Sequence, residues 1–104
     1  MTRKTNYTNA AQQRMLRLVL TMFGDVVHGF APSGLAATLH VSQSLITRDL
    51  DNLRTAGMAQ RDEGTGHWRL TPTLPQQAIK VFTTIDAAQR RVDEARNRFT
   101  RNPD

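Results

Sequence analysis

Apolar residues recur every three or four positions through the first half of the chain, which is the spacing of amphipathic helices. The spacing predicts a first helix from about Asn9 to about Phe23 and, introduced by Pro32, a second over roughly 33–39. The first helix has one apolar stripe of Met15, Leu18, Val19, Met22 and Phe23, and another of Leu16, Leu20 and Val27. The second stripe either completes the core of a small domain or faces a partner subunit.

A third helix is expected between Ser42, whose hydroxyl can cap it, and Gly57, which suits the position after a last helical turn. His40 precedes it in a tight turn and is expected to be left-handed, with Val41 filling the core. The third helix is apolar at Ile46, Leu50 and Leu53 and polar on the opposite side at Ser44, Thr47, Arg48 and Asp51. A helix of this kind is suited to reading base edges in the DNA major groove.

Two short alternating segments, 58–61 and 67–71, follow the third helix and predict a β-hairpin around the glycines of the loop 62–66. Trp68 and Leu70 should share the inner face of this hairpin, with Trp68 as a core residue. The predicted fold is therefore mainly α with a small β-hairpin wing, a winged helix-turn-helix, followed by a long C-terminal helix.

The C-terminal helix should start near Thr73, as a cap, and continue to about Phe99. Its apolar residues follow a heptad: Ala78, Val81, Ile85, Ala88, Val92, Ala95 and Phe99. This seam either packs on its own domain or pairs with a second copy. A helix of about 25 residues spans roughly 37 Å, longer than so small a domain covers, which favours a homodimer. Arg91 and Arg96 would place like charges beside a parallel seam, which favours an antiparallel arrangement.

The sequence therefore divides into a flexible tail (1–8), a winged helix-turn-helix domain (9–72) and a dimerisation helix (73–104). Arg3 and Lys4 of the tail either touch phosphates or belong to a solvated end. The absence of cysteine fits a cytoplasmic protein, and no apolar run approaches the roughly 20 residues of a membrane span.

The net charge of the 104 residues is +5, and only two of the 14 basic residues are lysines. Arginine forms planar, bidentate hydrogen bonds to phosphate and guanine. Two interpretations remain: the arginines serve nucleic-acid binding, or they reflect the base composition of the genome. Charge alone supports only nonspecific attraction to a polyanion.

Several residues at matching positions connect the chain with known regulators. They are Leu35, Ala36, Val41, Ser42, Arg48, Leu50, Leu53, Gly57, Arg61 and the run Trp68-Arg69-Leu70. On these residues, the segment 31–72 resembles the DNA-binding domain of IclR-type regulators and, more loosely, MarR-type winged helices. The resemblance implies a DNA-binding transcriptional regulator. It does not extend to ligand sensing, and Asp62 and Glu63 stand where wings that enter the minor groove usually carry basic residues.

No catalytic or metal site is expected. His28, His40 and His67 are isolated in a chain without cysteine, and the glycines of 64–66 lack the lysine of a phosphate-binding loop. Asp49 and Asp51 diverge on the third helix, so each is expected to tune local charge, although Asp51 could accept a hydrogen bond from cytosine. The chain is not expected to be an enzyme or to bind a cofactor, and no small-molecule effector is evident.

The sequence thus predicts a homodimeric, sequence-specific regulator of double-stranded DNA, a repressor of prokaryotic or phage type. Gln43, Ser44, Thr47 and Arg48 are the candidate base contacts, and Arg54, Arg61 and Arg69 the candidate phosphate contacts. The alternative is a winged-helix protein-interaction module in a replication or assembly complex.

Overall fold

The computed structural model describes residues 5–101, which form four helices and two short strands. In chain order these are α1 (Ala10–Met22), α2 (Pro32–Leu39), α3 (Gln43–Thr55), β1 (Ala59–Arg61), β2 (Trp68–Leu70) and α4 (Thr73–Thr100). This is the predicted winged helix-turn-helix with a long C-terminal helix. Residues 1–4 of the expected tail, with Arg3 and Lys4, and residues 102–104 lie outside the described residues.

The ends of the first two helices follow the predicted signals. Asn9 caps α1, because its side-chain oxygen accepts a hydrogen bond from the backbone N–H of Gln12 at 3.0 Å. Pro32 is the first residue of α2, where its missing N–H leaves no bond unmade. The helix ends at His40, which is left-handed with φ 57° and ψ 44°, as the sequence predicts.

The ends of α3 confirm the predicted capping residues. The Ser42 hydroxyl accepts a hydrogen bond from the N–H of Leu45 at 3.3 Å. After the last turn, Gly57 is left-handed at φ 78°. The N–H of Gly57 donates to the carbonyl of Arg54 at 2.9 Å, and the N–H of Met58 donates to the carbonyl of Leu53 at 2.8 Å. These two bonds close the helix in a Schellman motif and turn the chain into the hairpin.

The hairpin pairs β1 with β2 in antiparallel register, with Ala59 opposite Leu70. A third backbone segment joins it, which the sequence does not predict: Phe30 and Trp68 exchange two hydrogen bonds of 2.8 Å. Phe30 is a single bridging residue, and one residue shows no alternation of apolar and polar positions from which a strand could be predicted. Gly29 has φ 75°, and a Cβ there would collide with the Trp68 carbonyl, so the close approach requires glycine.

The residues up to Thr71 form one compact unit around a single hydrophobic core. The core comprises Leu18, Met22, Leu35, Ala36, Leu39, Ile46, Leu50, Leu53, Ala59, Trp68 and Leu70. The expectation that Val41 fills the core is only partly right, because it is half-buried. The second predicted stripe is not part of this core, since Leu16 and Leu20 of α1 and Val27, which lies beyond the end of α1, are 60–71% exposed.

The residues from Pro72 form a second unit, which consists of the 28-residue helix α4. Pro72, not the predicted Thr73, occupies the N-cap position, so the helix begins one residue away from the expected signal. No residue of α4 is buried, and the large side chains of the predicted seam are 53–84% exposed. No helix among residues 5–101 is long and apolar enough to cross a membrane.

Candidate nucleic-acid interface

The outward face of α3 carries the four candidate base contacts, all of them exposed. The Thr47 hydroxyl donates to the carbonyl of Gln43 at 2.9 Å, which fixes its rotamer and leaves its methyl group outward. The Ser44 and Ser42 hydroxyls lie 3.2 Å apart. Within residues 5–101, no acid lies within ion-pair distance of Arg48. Its guanidinium is therefore available to an external acceptor.

A buried ion pair holds α3 against α1. Arg14 Nε lies 2.6 Å from Asp49 Oδ2, and Nη2 lies 3.0 Å from Oδ1, with the two side chains only 14% and 8% exposed. The hydrogen bond to Asp49 raises the pKa of Arg14 above its ordinary value. Asp49 faces the interior, and its role in local charge is to neutralise Arg14. The sequence offers no signal for this pair, since its members are 35 positions apart.

Arg54, a candidate phosphate contact, lies at the edge of the same face of α3. It forms an ion pair with Asp51, one turn earlier on the helix. Its guanidinium also lies 5.8 Å from the centre of the Trp68 ring, within the range of a cation–π contact. Trp68 is itself a buried core residue, as predicted. Arg54 therefore links α3 to the wing.

The wing carries the other two candidate phosphate contacts, and each faces an acid. Arg61 Nη1 lies 2.8 Å from Glu63 Oε2, and Arg69 Nη1 lies 3.2 Å from Asp62 Oδ2. Asp62 also shapes the loop, because Oδ1 accepts the backbone N–H of Gly64 at 2.8 Å. That hydrogen bond, with the Arg69 contact, lowers the pKa of Asp62 below its ordinary value.

The structure thus brings the candidate base contacts together on one helix face and pairs every candidate phosphate arginine with an acid. Six arginines and five acids among residues 5–71 leave a net charge of +1. The acids of the wing tip are visible in the sequence. Their contacts with Arg61 and Arg69 are not, because side-chain pairing depends on the conformation of the loop.

Across positions 5–101, no group of three or more His, Cys, Asp or Glu residues could hold a metal ion. His28 lies 3.4 Å from Asp25 in the turn after α1. The backbone N–H of His28 lowers the pKa of Asp25 by donating to its carboxylate, which is the role of a turn-stabilising acid.

No family model matches the sequence, and no curated protein matches it at a significant level. Solved structures do resemble it. A mutant of Lactococcus lactis ZitR is 17% identical, with a TM-score of 0.48 over 96% of this chain and 69% of that chain. The zinc-dependent MarR family transcriptional regulator AdcR, in its Zn(II)-bound state, is 19% identical, with a TM-score of 0.44 and the same coverage.

A third structure, the MarR family transcription regulator SP03579, is 19% identical, with a TM-score of 0.41 over 86% of this chain and 78% of that chain. Two of these three proteins are described as MarR family regulators. None of the three is described as an IclR-type protein. At such low identity these likenesses concern the fold alone.

Proposed function

We propose that this chain is a sequence-specific, double-stranded DNA-binding transcriptional regulator that acts in the cytoplasm as a homodimeric repressor. One observation carries the proposal: the outward face of α3 presents Ser44, Thr47 and an unpaired Arg48, while the opposite face is buried. Caps at both ends and the Arg14–Asp49 pair hold this helix in a defined position. Fixed polar side chains on an exposed helix are what base-edge readout requires.

Each polar side chain on this face has a base-reading chemistry. Arg48 can donate two hydrogen bonds to guanine, and Gln43 has the donor and acceptor that adenine requires. Ser44 and Thr47 are small enough to let the helix approach the base edges. The proposed phosphate contacts are Arg54, Arg61 and Arg69. Because phosphate contacts position a protein without specifying sequence, these arginines complement the reading helix.

The homodimer is proposed from the exposed apolar surfaces. Val81, Ile85 and Val92 on the α4 seam are more than half exposed, and Ile79 and Phe82 widen the apolar surface of the helix's first half. Exposed apolar surface of this extent is typical of association sites. A second copy would cover it, and the exposed residues Leu16 and Leu20 of α1, with Val27 of the turn after it, are a further candidate contact.

The charge distribution along α4 favours antiparallel pairing. Residues 72–89 carry one base and one acid, whereas residues 90–101 carry five arginines and two acids. Parallel pairing would place the two basic halves together, and antiparallel pairing would place each against a neutral half. Two heads joined in this way would read a two-fold symmetric site. Occupation of such a site is the simplest way for a DNA-bound dimer to block transcription, which is why we propose a repressor.

The experiment is selection of bound sequences from a randomised DNA pool with the full chain. A defined, two-fold symmetric motif is expected, and Arg48→Ala should bind it more weakly while the control Arg17→Ala, another exposed and unpaired arginine, should not. Enrichment of no motif would contradict the proposal.

The alternative function, a winged-helix module for protein interaction in a replication or assembly complex, is favoured by the low net charge of residues 5–71. Salt-dependent gel shifts with random-sequence DNA distinguish the two functions. A DNA-binding protein loses affinity steeply as salt rises, whereas a protein-interaction module shows no measurable shift at any salt concentration.

A further inference from the structure

Asp51 is the one acid on the outward face of α3, among the proposed base contacts. Its side chain is 56% exposed and its partner Arg54 is 59% exposed, so the pair contributes little to the stability of the fold. Only one of the two carboxylate oxygens, Oδ1, contacts Arg54. Within the described chain Oδ2 accepts no hydrogen bond. Asp51 therefore presents an unoccupied acceptor toward whatever binds this face.

The major groove offers both partners and opponents for such an acceptor. Cytosine N4 and adenine N6 are exocyclic amino groups that donate hydrogen bonds, whereas guanine O6 and thymine O4 are acceptors that repel a carboxylate. DNA phosphates repel it as well. A carboxylate on the reading face is therefore favourable at a base that bears an amino group and unfavourable at others, in contrast to the arginines beside it.

Arg54 is placed so that it can exchange partners. Its guanidinium also contacts the ring of Trp68, which is a buried core residue. While Asp51 holds Arg54, the pair is neutral and contributes little to attraction by phosphates. A base amino group that donates to Oδ2 shares the charge of the carboxylate, which weakens its attraction for Arg54 and leaves the guanidinium more available to a phosphate.

We infer that Asp51 is a specificity-determining residue: it accepts a hydrogen bond from the exocyclic amine of a cytosine or adenine, and at other bases it keeps Arg54 neutralised. The inference rests on the proposed DNA-binding function. It assigns to an acid what the arginines of the face, as hydrogen-bond donors only, cannot provide, which is acceptance of a hydrogen bond from a base amine. The wing pairs differ, because Glu63 and Asp62 do not lie on the reading helix.

The test compares Asp51→Asn with two controls that remove the same charge. Glu63→Gln releases Arg61 on the wing, and Glu94→Gln removes an exposed acid of α4 that has no ion-pair partner within residues 5–101. Selection from a randomised pool identifies the motif of the wild type. Gel shifts then measure binding to the motif, to variants with each base at every position, and to random DNA. Circular dichroism and thermal melting show that each variant is folded.

The wild type should prefer cytosine or adenine over guanine and thymine at one half-site position, by about 5- to 150-fold. Asp51→Asn should reduce that preference to about threefold, because an amide both donates and accepts. It should also bind random DNA about three- to tenfold more tightly, with a salt slope steeper by about 0.9, the value for one additional neutralised phosphate. Glu63→Gln should bind motif and random DNA more tightly by the same factor, and Glu94→Gln should keep both the preference and the slope.

The outcomes separate the inference from the proposed function. A wild type that binds its motif while Asp51→Asn keeps the same preference overturns the inference alone. A wild type whose motif shows no position selective for an amino-bearing base has the same consequence. If neither the wild type nor any variant binds DNA, both the proposed function and the inference are wrong. Whether the wild type prefers cytosine or adenine identifies which amine Asp51 accepts.

Discussion

The unit that ends at Thr71 and the helix α4 differ in the solvent exposure of their hydrophobic side chains. In the first unit, Leu18, Met22 and Leu50 are completely buried, and the only buried acid, Asp49, has an arginine beside it. In α4 no residue is buried, and the large seam residues Val81, Ile85, Val92 and Phe99 are more than half exposed. The first unit therefore has a core of its own, whereas a helix with an exposed apolar seam gains little stability from packing within its own unit.

The largest effect is expected from breaking the α4 seam. Ile85→Asp together with Val92→Asp would place unpaired charge where a second copy is proposed to pack, so the dimer should dissociate. Affinity for a two-fold operator should then fall by roughly a thousandfold or more, toward the nonspecific level. Sedimentation and gel shifts measure the two effects, and the melting temperature of the first unit should stay close to the wild type.

The matched control for the seam is Thr83→Asp with Asn97→Asp, which adds the same charges to exposed α4 positions outside the heptad. It should remain dimeric. A seam variant that still sediments as a dimer would contradict the proposed contact and would indicate a contact through Leu16, Leu20 and Val27 instead.

The second-largest effect is expected in the first unit, from the loss of the buried Arg14–Asp49 pair. Asp49→Ala leaves the half-buried guanidinium of Arg14 without its partner, so the melting temperature should fall by roughly 8–15 °C. Replacing both members, Arg14→Leu with Asp49→Leu, should recover most of that loss, because no unpaired charge remains. Asp51→Ala, which removes an exposed acid of the same helix, is the control and should change melting little. Equal losses for Asp49→Ala and Asp51→Ala would show that burial of the pair does not matter.

The contrast between these two acids explains how much the sequence could predict. Period, capping residues and turn glycines are local signals, and they predicted the helices, the hairpin and the left-handed His40. The polar face of α3 was predicted for the same reason. Contacts between distant positions were not: the Arg14–Asp49 pair and the Phe30–Trp68 bridge depend on the folded arrangement. The acid partners of Arg54, Arg61 and Arg69 were likewise visible only in three dimensions.

A smaller effect, on DNA affinity alone, is expected from a substitution on the outward face of α3. Arg48→Ala should cost ~1–3 kcal/mol at the selected site and relax preference at one base pair, because a guanidinium can bind a guanine at two points. Binding to random DNA should weaken less. Isothermal titration with the site and with single-base variants measures the loss. Unchanged affinity together with unchanged base preference would show that the outward face of α3 does not enter the groove.

The smallest effect concerns the wing and depends on pH. Backbone N–H groups and Arg69 lower the pKa of Asp62 in the folded chain below the ordinary value of 3.8. Because the pKa is lowered only in the folded state, ionised Asp62 stabilises the fold. This stabilisation is complete at pH values well above the ordinary pKa and disappears as the pH falls through the folded-state pKa. Asp62→Asn keeps an acceptor for the loop but removes the charge, so its melting temperature should lie slightly below the wild type at neutral pH. The two should converge below pH 3.8. Asp62→Ala also loses the acceptor for Gly64, so its deficit should persist in acid. A wild type and Asp62→Asn that stay equally far apart down to about pH 2 would show that the charge of Asp62 is not what stabilises the wing.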